Sequence, residues 1–227
     1  AYLLAEMGYN PLIIERGERI EDRVRTVEQF FIDGKLNVSS NVQFGEGGAG
    51  TFSDGKLTTR VKDPRSHKVL EELVNAGAKP SILHEAHPHI GTDKLREVII
   101  NMRKKIIKSG GEFLYNTCLT NINFSNNKVS SIIVNNSKEI KCDALILAIG
   151  HSARDTFKMI YDKGLKMTSK PFAVGIRIQH PQKMINLSQY GEKYYGLLGS
   201  ASYKLTHKCQ NGHGAYTFCM CPGGFVV

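Results

Sequence analysis

Apolar residues at helical spacing, Leu3, Leu4 and Met7, followed by the stop signal Gly8, predict the end of a helix over 1–8. Pro11-Leu12-Ile13-Ile14-Glu15 is an apolar run too short for a helix, and it closes on an acid and then Gly17. That pattern predicts a buried parallel strand. Glu18 to Phe31 is charged with helical periodicity, whereas Asn37 to Lys56 is rich in glycine and has little periodicity, which predicts a long loop. Leu70 to Ala76 predicts a short helix. Thr92-Asp93 caps a longer one through Leu95, Val98, Ile99, Met102 and Ile106 to Gly110-Gly111.

Four short strands follow: Glu112 to Tyr115, Cys118 to Phe124, Val129 to Val134 and Glu139 to Cys142. Asn126-Asn127 and Asn135-Asn136 are the turns, and the group reads as an antiparallel meander. Asp143-Ala144-Leu145-Ile146-Leu147-Ala148-Ile149-Gly150 is continuously apolar after its first residue, the pattern of a strand buried on both faces, and a helix begins at Ser152. From Lys170 the texture changes to strand-like runs at Phe172 to Gln179 and Ala215 to Met220, joined by Gly-, Pro- and Tyr-rich connections. The expected organisation is an α/β, Rossmann-like dinucleotide-binding domain over 1–166, with a parallel sheet, helices, an antiparallel meander crossover and a glycine-rich insertion near 37–57. A second, strand-rich substrate or cap domain is expected to begin at 167 and run to 227.

The 227 residues, 41% of them hydrophobic, can bury a core, which excludes a disordered chain. No apolar run approaches the ~20 residues that span a bilayer as a helix. Five cysteines without paired metal spacing fit a reducing compartment, so the expected location is the cytoplasm. The net charge of +9 is spread among acids rather than gathered in a stripe, and no zinc-finger or RNP-type pattern accompanies it. No nucleic-acid partner is therefore expected; the basic balance fits anionic phosphates or a solvated surface. Ala1 opens in mid-helix and the last residues stop within a strand pattern, so further segments are expected on both sides.

Helix end, Gly8, strand and then Glu15 is the order of the second half of a βαβ nucleotide unit. There an acid at the tip of the second strand accepts hydrogen bonds from the adenosine ribose. The glycine loop for the pyrophosphate is expected upstream of Ala1. Glu15 is also read as an ordinary exposed acid at a strand end. Gly150 closes the late apolar strand, where the absence of a Cβ lets a dinucleotide approach the backbone; a plain core strand with a turn glycine fits too. Gly45, Gly47, Gly48 and Gly50 lie so close together that the backbone can turn several N–H groups into one concave nest for phosphate or the electron-rich edge of a flavin. The alternative is a flexible loop without a ligand.

His87-Pro88-His89 lacks metal-ligand spacing, and no metal is expected. His89 facing a substrate as a proton carrier is a weak catalytic candidate beside simple loop packing, and the same choice holds for His151. Cys219 and Cys221 are the other weak catalytic candidates, as a thiol pair next to a flavin. Alternate strand positions point to opposite faces, however, and a disulfide across one residue is strained, so packing competes with redox use.

These motifs resemble a known group. Gly110-Gly111 leading into Asn116 to Ile122, with the strand Leu145 to Gly150, is similar to the FAD domain of glutathione-reductase-like flavoproteins. Asn41 to Leu57 with its core Gly45-Glu46-Gly47-Gly48-Ala49-Gly50-Thr51-Phe52, Pro88 to Leu95, Gly150 to Phe157 and Phe218 to Gly224 resemble segments of a bacterial group of uncharacterised FAD-dependent dehydrogenases. The resemblance implies FAD held by Glu15 at the adenosine ribose, by main-chain groups near Leu119 at the adenine, and by Ala148, Gly150 and His151 on the pyrophosphate side; Arg16 and the turn Gly47, Gly48, Ala49, Gly50 and Thr51 are further candidate cofactor-binding residues. It implies a flavoprotein oxidoreductase of dehydrogenase type that passes hydride to FAD from a small-molecule substrate or from NAD(P)H. A flavin- or nucleotide-binding redox sensor or scaffold without turnover is the alternative. A plain NAD domain is disfavoured by the meander.

Overall fold

The computed structural model describes residues 1–53, 55–57, 59, 62–85, 88–218, 220 and 222. They form two compact units, Ala1–Met167 and Thr168–Val227. The first is mixed α/β. Helix α1 (Tyr2–Glu6) leads into β1 (Leu12–Ile14), then α2 (Ile20–Asp33), a 3-10 turn (Ala49–Phe52), α3 (Arg65–Asn75), a second 3-10 turn (Pro80–Leu83) and α4 (Thr92–Lys108). Strands β2 (Glu112–Leu114), β3 (Leu119–Ser125), β4 (Lys128–Val134) and β5 (Lys138–Lys141) precede α5 (Arg154–Asp162).

Strand β2 pairs parallel with β1, Leu12 opposite Glu112 and Ile14 opposite Leu114, so it stands outside the expected meander. The meander is β3-β4-β5. Its turns are local chemistry: Asn126, Asn127, Asn135 and Asn136 all have φ between +51° and +59°, the left-handed conformation asparagine tolerates.

Alternation along β1 creates two apolar layers. Ile13, with Phe113, packs on Tyr2, Ala5 and Ile106 of α1 and α4. Ile14 packs on the opposite layer, Ile122, Ile132 and Val134 of the meander with Ile160 of α5. A third cluster joins Leu73, Ile82, Ile90, Leu95 and Val98 beneath α3 and α4. Helix α1 buries Tyr2 and Ala5, whereas the expected face residues Leu3 and Met7 are 49% and 71% exposed, because the helix turns its Tyr2–Ala5 face to Ile106. Gly91, rather than Thr92, caps α4; the Thr92 hydroxyl donates to the carbonyl of Ser53 (2.7 Å) and ties the helix start to the glycine-rich loop.

The expected central strand over 143–150 is not formed. Leu145 and Ile149 pack on the meander, but Ile146 is 73% exposed, and no strand of the described residues pairs with this segment. An inner strand needs a ladder on each edge, and an apolar run supplies only the side chains. The parallel sheet therefore has two strands, β1 and β2, and a complete Rossmann sheet is not present among the described residues.

In the second unit, Phe172 to Gln179 forms no strand, and Phe172, Val174 and Ile176 are more than four-fifths exposed. A helix the pattern did not predict, α6 (Gln182–Tyr194), bends at Gly191 (φ 71°, ψ 171°). The hairpin β6 (Thr206–Lys208) and β7 (Gly214–Tyr216) follows. Asn186 Oδ1 accepts from the backbone of Ala201 (2.8 Å) and from Gln182 Nε2 (2.8 Å), which holds the following loop on α6. Among its described residues the unit consists of this helix and the hairpin. Among the described residues of both units no helix is long and apolar enough to cross a membrane, and no group of three metal-ligating side chains occurs.

Candidate functional site

The chain leaves β1 through Glu15, Arg16 and Gly17, and the main-chain ladder to the β2 side continues past the strand, from Glu15 N to Leu114 O (2.9 Å) and Thr117 N to Glu15 O (2.9 Å). This sets Glu15 and Arg16 at the carboxyl end of the parallel pair, where open α/β sheets bind ligands. One carboxylate oxygen of Glu15, Oε1, accepts from the backbones of Gly17 (2.8 Å) and Gly45 (3.0 Å). Oε2 accepts nothing among the described residues. Gly17 lies so close to the glycine-rich loop that an added Cβ would stand 2.7 Å from Gly45 Cα, so the crossing of the two backbones is what joins Glu15 to that loop.

The loop is held from beneath by buried charge. Glu46 is 5% exposed and accepts from Ile20 N (2.9 Å) and Arg103 Nη1 (2.7 Å) with one oxygen and from the Tyr115 hydroxyl (2.8 Å) with the other. It thereby caps α2, which no side chain of residue 19 does. Arg103 also binds Glu21, and that bond lifts the guanidinium above its ordinary value against the pull of burial. Burial pushes the Tyr115 phenol up, with Arg103 opposing and Glu46 adding to the rise. Arg23, fully buried, donates to the carbonyls of Asn41 (2.9 Å), Glu46 (2.7 Å) and Gly48 (2.9 Å). Burial pulls Arg23 down to about 10, with Glu15 and Glu46 opposing, so it stays charged at neutral pH. Between the sheet and α4, a cavity of about 190 Å³ is lined by Glu15, Glu46, Gly47, Arg103 and Tyr115 at a polar end, with Ile13, Ile99 and Phe113 among its apolar walls.

The nest expected over residues 45–51 is partly spent internally. The N–H groups of Gly45, Glu46, Gly48 and Thr51 bond to Glu15, Glu18 O, Gly45 O and Gly48 O. Those of Gly47, Ala49 and Gly50 donate to nothing among the described residues, and these three residues are exposed. Thr51 is 1% exposed, with its hydroxyl on Glu46 O (3.1 Å), so its side chain supports the turn from inside.

A third segment reaches the same end of β1. Arg16 Nη2 donates to Asp155 (2.7 Å), in the first turn of α5, and lies 3.3 Å from the Thr156 hydroxyl and 3.1 Å from Cys118 Sγ. Its guanidinium lies 4.7 Å from the centre of the Phe44 ring. Burial disfavours both charges of the Arg16–Asp155 pair, and the bond between them outweighs it: the carboxyl is held below its usual range and the guanidinium above. The Ser152 hydroxyl donates to Gln43 Oε1 (3.0 Å) and contacts His151 Nδ1 (3.0 Å). Glu15-Arg16, the loop 41–45 and the turn 150–155 are therefore neighbours.

Ala148 and Gly150 (φ +65°) line an open apolar hollow of about 390 Å³ with Phe157, Ile160 and Met167. Leu119 pairs with Val134 in the meander, its side chain on the meander core. His89 is exposed and forms an isolated bridge with Lys56; no hydrogen bond joins it to Glu15 or His151 among the described residues. His87, Cys219 and Cys221 lie outside the described residues.

Sequence reasoning missed Arg23, Arg96, Arg103, Gln43 and Asp155. One signal was present: Ile20, Arg23 and Val27 fall at helical spacing on a single buried stripe of α2, so an arginine occupies a core position there. A charge on such a stripe needs partners, and its partners are the carbonyls of the glycine-rich loop.

Residues 171–227 match the family model described as FAD-dependent protein, C-terminal domain-like. Over its whole length the chain is 52% identical to an uncharacterised protein of Clostridium beijerinckii, of which it covers 43%. The chain thus spans less than half the length of that relative.

Proposed function

We propose that this chain supplies part of the FAD site of a flavin-dependent oxidoreductase. The observation that carries the reading is the meeting of Glu15, the glycine-rich turn and the turn 150–155 at the carboxyl end of β1, in a chain whose last segment matches an FAD-dependent family. The residues fit the cofactor: Glu15 retains a free carboxylate oxygen for ribose hydroxyls. Gly47, Ala49 and Gly50 offer unspent N–H donors to phosphate or to a flavin edge. The backbone near Leu119 serves the adenine, and Ala148, Gly150 and His151 serve the diphosphate. Arg16 acts beside Glu15 by holding α5 through Asp155.

Bound FAD would supply hydride acceptance, from a small-molecule substrate or from NAD(P)H. The protein's own part is to bind, to orient and to present fixed donors. Arg23 and Glu46 keep the turn rigid, so its N–H groups need not reorganise when negative charge arrives.

The test is FAD retention. Purified intact protein is expected to show flavin absorbance that bleaches when NADH, NADPH or a substrate is added anaerobically. Glu15→Ala is expected to weaken FAD binding about tenfold, the worth of one or two hydrogen bonds to a charged acceptor. A protein that takes up no FAD on reconstitution, or a Glu15→Ala variant that binds it as the parent does, refutes the assignment.

A further inference from the structure

Two arginines with unspent donors converge on one aromatic ring. The Phe52 ring centre lies 4.8 Å from Arg23 Cζ and 5.1 Å from Arg96 Cζ. Arg23 Nη2 is closed to solvent and meets no acceptor, although Nε and Nη1 of the same group are bonded. Arg96 is less provided for: half-buried, it makes no hydrogen bond or ion pair among the described residues, and its Nε is enclosed and unmet. Glu97 is engaged with Lys94 (2.8 Å) and Glu46 with Arg103 (2.7 Å), and Asp93, one turn before Arg96, forms no ion pair with it. The Phe52 ring offsets part of the hydration this half-buried guanidinium loses but accepts no hydrogen bond in its plane, so the unspent donors are set up for an anion.

The glycine-rich turn runs along the same face of α4. Arg96, Ile99 and Arg103 are three and four residues apart and share that face. Glu46 bonds to Arg103, a Cβ on Gly47 would stand 3.5 Å from Ile99, and Phe52 lies against Arg96. The unspent N–H groups of Gly47, Ala49 and Gly50 belong to this stretch, and a Cβ added at Gly48 or Gly50 would meet nothing within 4 Å. Free backbone donors and a free guanidinium therefore border one open strip. Three N–H groups spread along a turn and a guanidinium suit a tetrahedral phosphoryl group, with three acceptor oxygens, better than a planar carboxylate with two.

We propose that Arg96 and the turn 47–50 form a phosphoryl-binding subsite, with Phe52 fixing the guanidinium plane and Arg23 adding positive field from below. The N–H groups of the turn are those the flavin reading also uses, whereas Arg96 and Phe52 enter only here, so the subsite can fail while FAD binding stands. The phosphoryl group has two sources, a dinucleotide cofactor or a free phosphorylated compound.

The probe is inorganic pyrophosphate. In the wild-type protein, phenylglyoxal labelling read by peptide mass spectrometry should show Arg96 modified in its absence and protected in its presence, while exposed Arg25 is labelled equally in both. By calorimetry Arg96→Gln should weaken pyrophosphate binding about tenfold or more, and Arg96→Lys should retain part of it. An Arg96→Gln protein that loses pyrophosphate but keeps FAD identifies a free phosphorylated ligand; one that loses both identifies the cofactor's own phosphates. Equal labelling of Arg96 with and without pyrophosphate, or unchanged binding in Arg96→Gln, overturns the subsite even if FAD is bound.

Discussion

Glu46→Ala tests whether the glycine-rich turn is held by buried charge or merely follows the chain. Three donors lose their acceptor together: Ile20 N at the start of α2, Arg103 Nη1 and the Tyr115 hydroxyl. Arg103 keeps Glu21, so its charge is not stranded, and the cost falls short of adding three full desolvation penalties. Each buried donor left unmet costs about 1–3 kcal/mol, and breaking a buried ion pair costs about 3–5 kcal/mol. The expected loss is therefore about 3–5 kcal/mol, which for a chain of this size lowers Tm by roughly ten degrees. Urea unfolding at neutral pH, with the slope unchanged so that only stability has moved, is the assay. Glu46→Gln should lose less, because one acceptor oxygen survives. A Glu46→Ala loss below about 1 kcal/mol would refute the claim that this carboxylate organises the site.

Gly17→Ala should be costly for a reason unrelated to glycine's flexibility. The new Cβ meets the backbone of Gly45 at 2.7 Å, so two chain segments must separate; about 2–4 kcal/mol and weaker docking of the loop are expected in the same urea assay. Gly34→Ala, where space is open and the backbone is left-handed (φ 71°, ψ 7°), should cost only about 1–2 kcal/mol, and equal losses at the two positions would contradict the close-approach argument. The hydrogen bond from Arg103 holds the Glu21 carboxyl below its ordinary range, with burial opposing. Its folded value being depressed, the stabilisation is present above the unfolded carboxylate value near ~4.3 and is lost as pH falls through the folded value. Glu21→Gln should thus be less stable than the parent at neutral pH, with the gap closing in acid. A gap of undiminished size at about pH 2 would count against the pairing.

Much of the local structure is written in short range. Gly8 and Gly34 end helices with positive φ, and the asparagine pairs turn the meander because asparagine accepts the left-handed conformation cheaply. The helical stripes of α2 and α4 and the strand-length runs at β1, β3 and β4 are equally legible, since periodicity states which side chains must leave water. Of the candidate site, Glu15 and the glycine cluster stood out because each is an unusual residue at an element's end.

The partners were not legible. That β2 joins β1 rather than the meander, and that neither 143–150 nor Phe172 to Gln179 forms a strand, are outcomes of edge availability, and a strand's own side chains cannot specify its neighbour. Likewise, nothing near Arg23, Arg96 or Arg103 in sequence announces that they gather around residues 46–52. Their placement follows from the packing of α2 and α4 against a loop with carbonyls and a carboxylate to offer. Sequence alone determined the backbone's local conformations, because those energies act within a few residues; only tertiary structure decided which charges meet, because desolvation and pairing depend on groups brought together from far along the chain.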